Sequence, residues 1–115
     1  ELGFTTRIEI LGNEPLIILK RFINEDGMSS YHSGSKYEIY ENIDNKIIDT
    51  SLKALKILNI EMGSLDIIEK KNDEFYIIDV NATSNFSEDN IQFLKFDPIK
   101  KFSDYIYRRY SEILL

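Results

Sequence analysis

Leu65-Asp66-Ile67-Ile68-Glu69 and Phe75-Tyr76-Ile77-Ile78-Asp79-Val80 are the two most strand-like segments of the chain, and only a short polar stretch, Lys71-Asn72-Asp73-Glu74, joins them. Such a spacing makes a hairpin. Asp is depleted in strands, yet each of these carries one. A two-residue turn at Asn72 and Asp73 sets Lys71 against Glu74 and brings Asp66 directly opposite Asp79. A turn one residue longer breaks that pairing. Directly opposed side chains lie ~4.5–5.5 Å apart at Cβ, and like charges there destabilise the pair. Asn81 follows Asp79 by two residues and shares its face. Two carboxylates and one amide oxygen on one face suit a hard divalent cation such as Mg²⁺, which prefers oxygen ligands and keeps water or phosphate oxygens in its other positions. The same residues also fit a solvated face on which the Asp pair is merely tolerated.

The rest of the chain builds around this hairpin. Phe4 to Leu11 and Leu16 to Ile23 are apolar stretches rich in β-branched residues, with the turn signal Gly12-Asn13-Glu14-Pro15 between them. Lys36 to Glu41 alternates and reads as a short strand. From Asp44 to Asn59 the period changes: Ile47, Ile48, Leu52, Leu55 and Leu58 form a helical stripe with Asp44 or Asn45 as N-cap, and Gly63 follows closely. Asp97-Pro98 starts a terminal helix marked by Ile99, Phe102, Ile106, Tyr110 and Ile113. The predicted class is α+β, a mostly antiparallel sheet with two helices packed on one face.

Composition narrows the function. The 115 residues are enough for one domain, and 43% apolar with 30% charged is the balance of a folded protein. A net charge of −6 argues against nucleic acid and against an anionic membrane surface as partners. With no cysteine and one histidine, thiolate zinc sites, disulfides, cysteine nucleophiles and two-histidine metal sites are excluded. No apolar run approaches the ~20 residues that cross a bilayer. The absence of an initial Met and of a signal-like start reads as a piece of a longer chain. Arg7 lies mid-strand; Lys20 and Arg21 are adjacent, point to opposite faces, and at most one serves the Asp face. Ser33-Gly34-Ser35 offers backbone N–H groups for an anion or makes an ordinary turn. His32 reads as an exposed loop residue.

Gly63-Ser64-Leu65-Asp66, the polar turn, and Phe75 to Asp79-Val80-Asn81-Ala82-Thr83 resemble the C-terminal signature of the ATP-grasp enzymes, a Gly-x-x-Asp strand followed by an aromatic-apolar strand ending Glu-Val-Asn-x-(Ser/Thr/Pro). The helix Ser51 to Asn59 resembles the family's Ala-Leu-rich helix that leads into that strand. Ser29 to Ser35 looks like its Asn-x-x-x-Gly-Gly loop. Thr6-Arg7-Ile8-Glu9-Ile10 looks like the Asp-x-Arg-x-x-Val strand of the ribosomal-protein glutamate ligase (RimK-like) branch. The match runs in order from about residue 4 to 110.

The resemblance implies that residues 1–115 are a single domain, the C-terminal subdomain of a cytoplasmic carboxylate–amine ligase that uses ATP and Mg²⁺. Asp66 and Asn81 would each ligate an ion and Asp79 would bridge two. Arg7, with Ser33, Gly34 and Ser35, would contact ATP, and Arg7 is also the catalytic candidate, on an acyl phosphate. The substrates would be a carboxylate and an amine, small molecule or peptide, with Thr83, Ser84 and Asn85 lining the acceptor pocket. Asp79 stands where the family carries Glu, one methylene longer. Ser64 stands where the D-alanine–D-alanine ligase branch carries Arg. The family's nucleotide-clamping lysines lie on an earlier subdomain, so the 115 residues alone are expected to be inactive. The alternative is a non-catalytic binding domain of ATP-grasp descent.

Overall fold

The computed structural model describes residues 3–22, 36–82 and 94–114. His32, Ser33, Gly34, Ser35, Thr83, Ser84 and Asn85 lie outside the described residues. The chain divides into two units, Glu1–Ser84 and Asn85–Leu115.

The first unit holds strands β1 (Phe4–Leu11), β2 (Glu14–Phe22) and β3 (Tyr37–Ile39), helix α1 (Asn45–Ile57), and strands β4 (Met62–Glu69) and β5 (Phe75–Asn81). They form one five-stranded antiparallel sheet in the order β3-β2-β1-β4-β5. The second unit holds α2 (Pro98–Leu114). The α+β class read from the sequence is the class observed.

β1 is the central strand, buried on both faces. Its even positions Ile8 and Ile10 meet Leu65 and Ile67 of β4 and Ile47 and Leu55 of α1 in the apolar core, and Thr6, on the same face, is fully buried. α1 begins at Asp44, whose carboxylate accepts the Lys46 N–H at 2.9 Å. It ends at Ile57 with Leu58 as C-cap, two residues inside the Asn59 bound read from the sequence. Asn59 takes the left-handed conformation (φ 59°), while its N–H reaches Lys56 O and that of Ile60 reaches Leu55 O. These paired bonds satisfy the last carbonyls of the helix. Ser51, fully buried, donates its hydroxyl to Ile47 O at 2.7 Å. In α2, Asp97 caps the Ile99 N–H at 3.0 Å, as its Asp-Pro start predicts. Its expected apolar stripe is present in period, but Ile99, Ile106, Tyr110 and Ile113 are exposed.

Two departures from regular pairing decide which residues share a face with Asp66. The β1–β2 turn is the pair Gly12–Asn13, and the register skips Leu16 between Ile17, opposite Glu9, and Pro15, opposite Ile10. In the second hairpin the Lys70 N–H bonds Glu74 O at 2.8 Å, so the turn has three residues, Lys71 to Asp73, with Asp73 left-handed at φ 65°. Lys71 therefore does not oppose Glu74. The longer turn alone would slide Asp79 past Asp66. A β-bulge at Ile78 restores the pairing: Ile77 opposes Ile67, and the next paired residue, Asp79, opposes Asp66. The bulge also explains why Phe75, Ile77 and Val80, not an unbroken alternation, pack against the core.

Candidate functional site

Opposed residues in a sheet share a face, so the register lays out the face opposite the α1 core as cross-strand rows. One row runs Leu19, Arg7, Asp66, Asp79 across β2, β1, β4 and β5. The row beside it runs Ile17, Glu9, Ser64, Asn81. On the other side Arg21 and Thr5 are opposed, and Tyr37 of β3 opposes Arg21. Asp66, Asp79, Asn81 and Arg7 are thus brought to one face. Lys20 points the other way, with its ammonium 4.9 Å from the Phe4 ring centroid and 4.6 Å from that of Tyr40. Of the adjacent pair, Arg21 is the one on the Asp face.

The charges on this face are largely buried. Glu9 is 2% exposed and Asp66 is 5% exposed. The Arg7 guanidinium is held on two edges: Nε donates to Glu9 Oε1 at 2.9 Å and Nη2 donates to Ser64 Oγ at 3.2 Å. Its Nη1 faces Asp66 Oδ1 at 3.7 Å. Arg21 Nη2 approaches Asp66 Oδ2 at 3.4 Å. Burial on its own would lower the Arg7 pKa; the charges of Asp66 and Glu9 and the Glu9 hydrogen bond outweigh it and leave the pKa raised. Arg7 is a fixed cation.

These arginines change the expectation of a bare carboxylate pair. Asp66 faces Asp79 across the hairpin, but two guanidiniums offset its charge. Asp79 is exposed and accepts from Asn81 Nδ2 at 3.3 Å, which leaves the Asn81 oxygen as an acceptor. Asp66 Oδ1 and Arg21 Nε are buried and make no hydrogen bond among the described residues. Each orphan of this kind costs about 1–3 kcal/mol. The other buried carboxylate of β4, Glu69, is on the core side and fully engaged, accepting from Thr6 Oγ1 at 2.6 Å and from Tyr40 OH at 3.0 Å. Burial first, and then that bond, push the Tyr40 phenol up to about 12.

The donor chemistry fits a hard cation. The described residues contain no group of three or more His, Cys, Asp and Glu placed to hold a metal by themselves. Asp66, Asp79 and Asn81 offer only oxygen, and too few for a protein-only cage, which is the arrangement Mg²⁺ accepts when water and phosphate supply the rest.

Two features escaped the sequence reading. Glu9 stands two residues from Arg7, so opposite charges on one strand face were the available signal. Ser64 was noted only for not being Arg, yet its hydroxyl holds Arg7.

No family model matches the chain, and no curated protein matches it in sequence. Solved structures do match it in fold. The ATP-grasp ligase PsnB, complexed with a phosphomimetic variant of its minimal precursor, Mg and ADP, superposes with a TM-score of 0.72 at 15% identity, over 95% of this chain and 33% of its own. The macrocyclase MdnC, bound with precursor peptide MdnA from Microcystis aeruginosa MRC, gives 0.61 at 15% identity over 84% and 30%. D-alanine–D-alanine ligase from Bacillus anthracis gives 0.58 at 17% identity over 76% and 31%. The chain spans about a third of the length of these proteins. Its fold is one shared with a part of ATP-grasp ligases. No helix among the described residues is long and apolar enough to cross a membrane.

Proposed function

We propose that this chain is the C-terminal, metal-facing and phosphate-facing part of a cytoplasmic ATP-grasp carboxylate–amine ligase, nearest in kind to the ribosomal-protein glutamate ligase branch. The observation that carries the proposal is the row Arg7–Asp66–Asp79, with Asn81 beside it, on a fold shared with ATP-grasp ligases. Asp66, Asp79 and Asn81 would hold Mg²⁺. When bound, Mg²⁺ neutralises charge on the oxygens of a phosphoryl group in transfer. Arg7, fixed by Glu9 and Ser64, orients an oxyanion, the ATP phosphate or the acyl phosphate made from the substrate carboxylate. An amine then displaces phosphate from that acyl phosphate. Ser33, Gly34 and Ser35 would add backbone contacts to ATP. The PsnB and MdnC structures hold precursor peptides, so a peptide is the first candidate for the acid or the amine.

A second reading, a non-catalytic binding domain, draws on Asp79 standing where the family carries Glu. Nucleotide titration of the 115-residue chain with and without Mg²⁺, together with a phosphate-release assay, separates the two. The ligase reading expects nucleotide binding that Mg²⁺ strengthens, a strengthening that is lost in Asp66→Asn and Asp79→Asn, and no turnover without the rest of the enzyme. Binding indifferent to Mg²⁺ favours the second reading. Turnover near ~1 s⁻¹ by these residues alone, an ordinary enzyme rate, contradicts the placement in the family.

A further inference from the structure

The two ion pairs of Asp66 differ in kind from the other ion pair on its face. Arg7 Nε meets Glu9 at 2.9 Å, the length of a charge-assisted hydrogen bond. Arg7 Nη1 and Arg21 Nη2 stand at 3.7 and 3.4 Å from the two oxygens of Asp66, so they attract without a full bond. In the same place an acceptor, Asp66 Oδ1, and a donor, Arg21 Nε, are buried without a hydrogen-bond partner among the described residues. The acceptor suits a cation and the donor suits an anion. The buried group, Arg7 and Arg21 with Glu9 and Asp66, is balanced in formal charge. A divalent cation on Asp66 would make it positive and call for an anion beside it.

We propose that Asp66 is an exchangeable counter-ion: a divalent cation that takes its carboxylate frees Arg21 and the Nη1 edge of Arg7 for an oxyanion, phosphoryl or carboxylate, so cation and oxyanion bind this face cooperatively. Glu9 and Ser64 keep Arg7 in place during the exchange. The inference rests on the metal reading above and adds a coupling to it. By linkage, whatever factor the oxyanion gives to cation affinity, the cation returns to the oxyanion.

The test uses the 115-residue chain, with Mg²⁺ titrated calorimetrically at several concentrations of inorganic phosphate and, in a separate arm, of acetate. Ionic strength and the free Mg²⁺ scale are held fixed, and the Arg21 Nε–H signal is followed by NMR. Saturating phosphate or acetate should tighten Mg²⁺ at least ~5-fold, the lower end of ordinary coupling. The arm that does so identifies the oxyanion. Arg21→Gln should bind Mg²⁺ alone no more weakly than wild type and lose the tightening. In chelator, Asp66→Asn should bind the oxyanion at least ~5-fold more tightly than wild type, since its arginines are released; this arm needs no metal. Mg²⁺ binding that ignores both oxyanions, coupling that survives Arg21→Gln, or an Asp66→Asn chain with no gain in oxyanion affinity overturns the proposal and leaves the metal reading standing. No Mg²⁺ binding under any condition overturns both.

Discussion

Asp66→Ala is expected to destabilise the chain by about 3 kcal/mol, because removing one member of a buried ion group leaves the others uncompensated. Arg21 has only 13% of its side chain exposed and no other ion-pair partner among the described residues, so its charge would be stranded. Arg7 loses less, since Glu9 remains at 2.9 Å. For a chain of this size the loss corresponds to roughly 10 °C in melting temperature. The companion variant is Asp66→Leu with Arg21→Met, which replaces the charges by apolar groups. Such replacements of buried ion groups are often neutral or stabilising, so the double variant should recover most of the loss. It should also bind no Mg²⁺. Thermal melts of the two variants beside wild type check both expectations. A single variant that melts within a degree or two of wild type would mean that Asp66 does not hold the arginines.

Gly63→Ala is expected to cost about 1–3 kcal/mol, the usual penalty for forcing atoms into filled space. The reason is a close approach: a Cβ at this position would run into the backbone carbonyl oxygen of Asn81, and would sit 3.0 Å from Ile60 Cγ2. The carbonyl cannot swing aside as a flexible side chain would, so the end of β5 must shift. That shift moves Asn81 and, beside it, Asp79. The variant should therefore show a lower melting temperature and displaced Asn81 and Asp79 amide signals, with weaker Mg²⁺ binding. Unchanged melting and unchanged signals would remove Gly63 from any part in shaping the face.

Local signals made much of this fold readable before any coordinates. Asp44 and Asp97 announce their helices because a cap acts within three residues. The strands announce themselves by composition. Register did not come through in the same way. A two-residue turn was expected at Asn72–Asp73, and it pairs Asp66 with Asp79; the observed three-residue turn with a bulge at Ile78 reaches the same pairing by another route. Two adjacent isoleucines give no sign of which one is extra. Arg21 was one of two adjacent candidates, and the skip at Leu16 helps fix which of them meets Asp66. The expected repulsion between Asp66 and Asp79 was legible from one hairpin, but the arginines that offset it come from two other strands. Side-chain pairing across a sheet is a long-range property, and a linear pattern carries it only in part.

The proposed ligase site stands on one property: the face carrying Asp66, Asp79 and Asn81 binds a hard divalent cation together with phosphate. Mn²⁺, added at substoichiometric amounts to the 115-residue chain with ADP as it is followed by amide NMR, tests this most directly, because paramagnetic broadening marks the residues nearest the ion. Asp66, Asp79 and Asn81 should broaden first and Ser64 and Arg7 next, while Ser51 and Leu55 of α1, on the opposite face of the sheet, stay sharp, and Asp79→Asn should abolish the pattern. Broadening scattered over the acidic surface, or led by residues of α1, would contradict it.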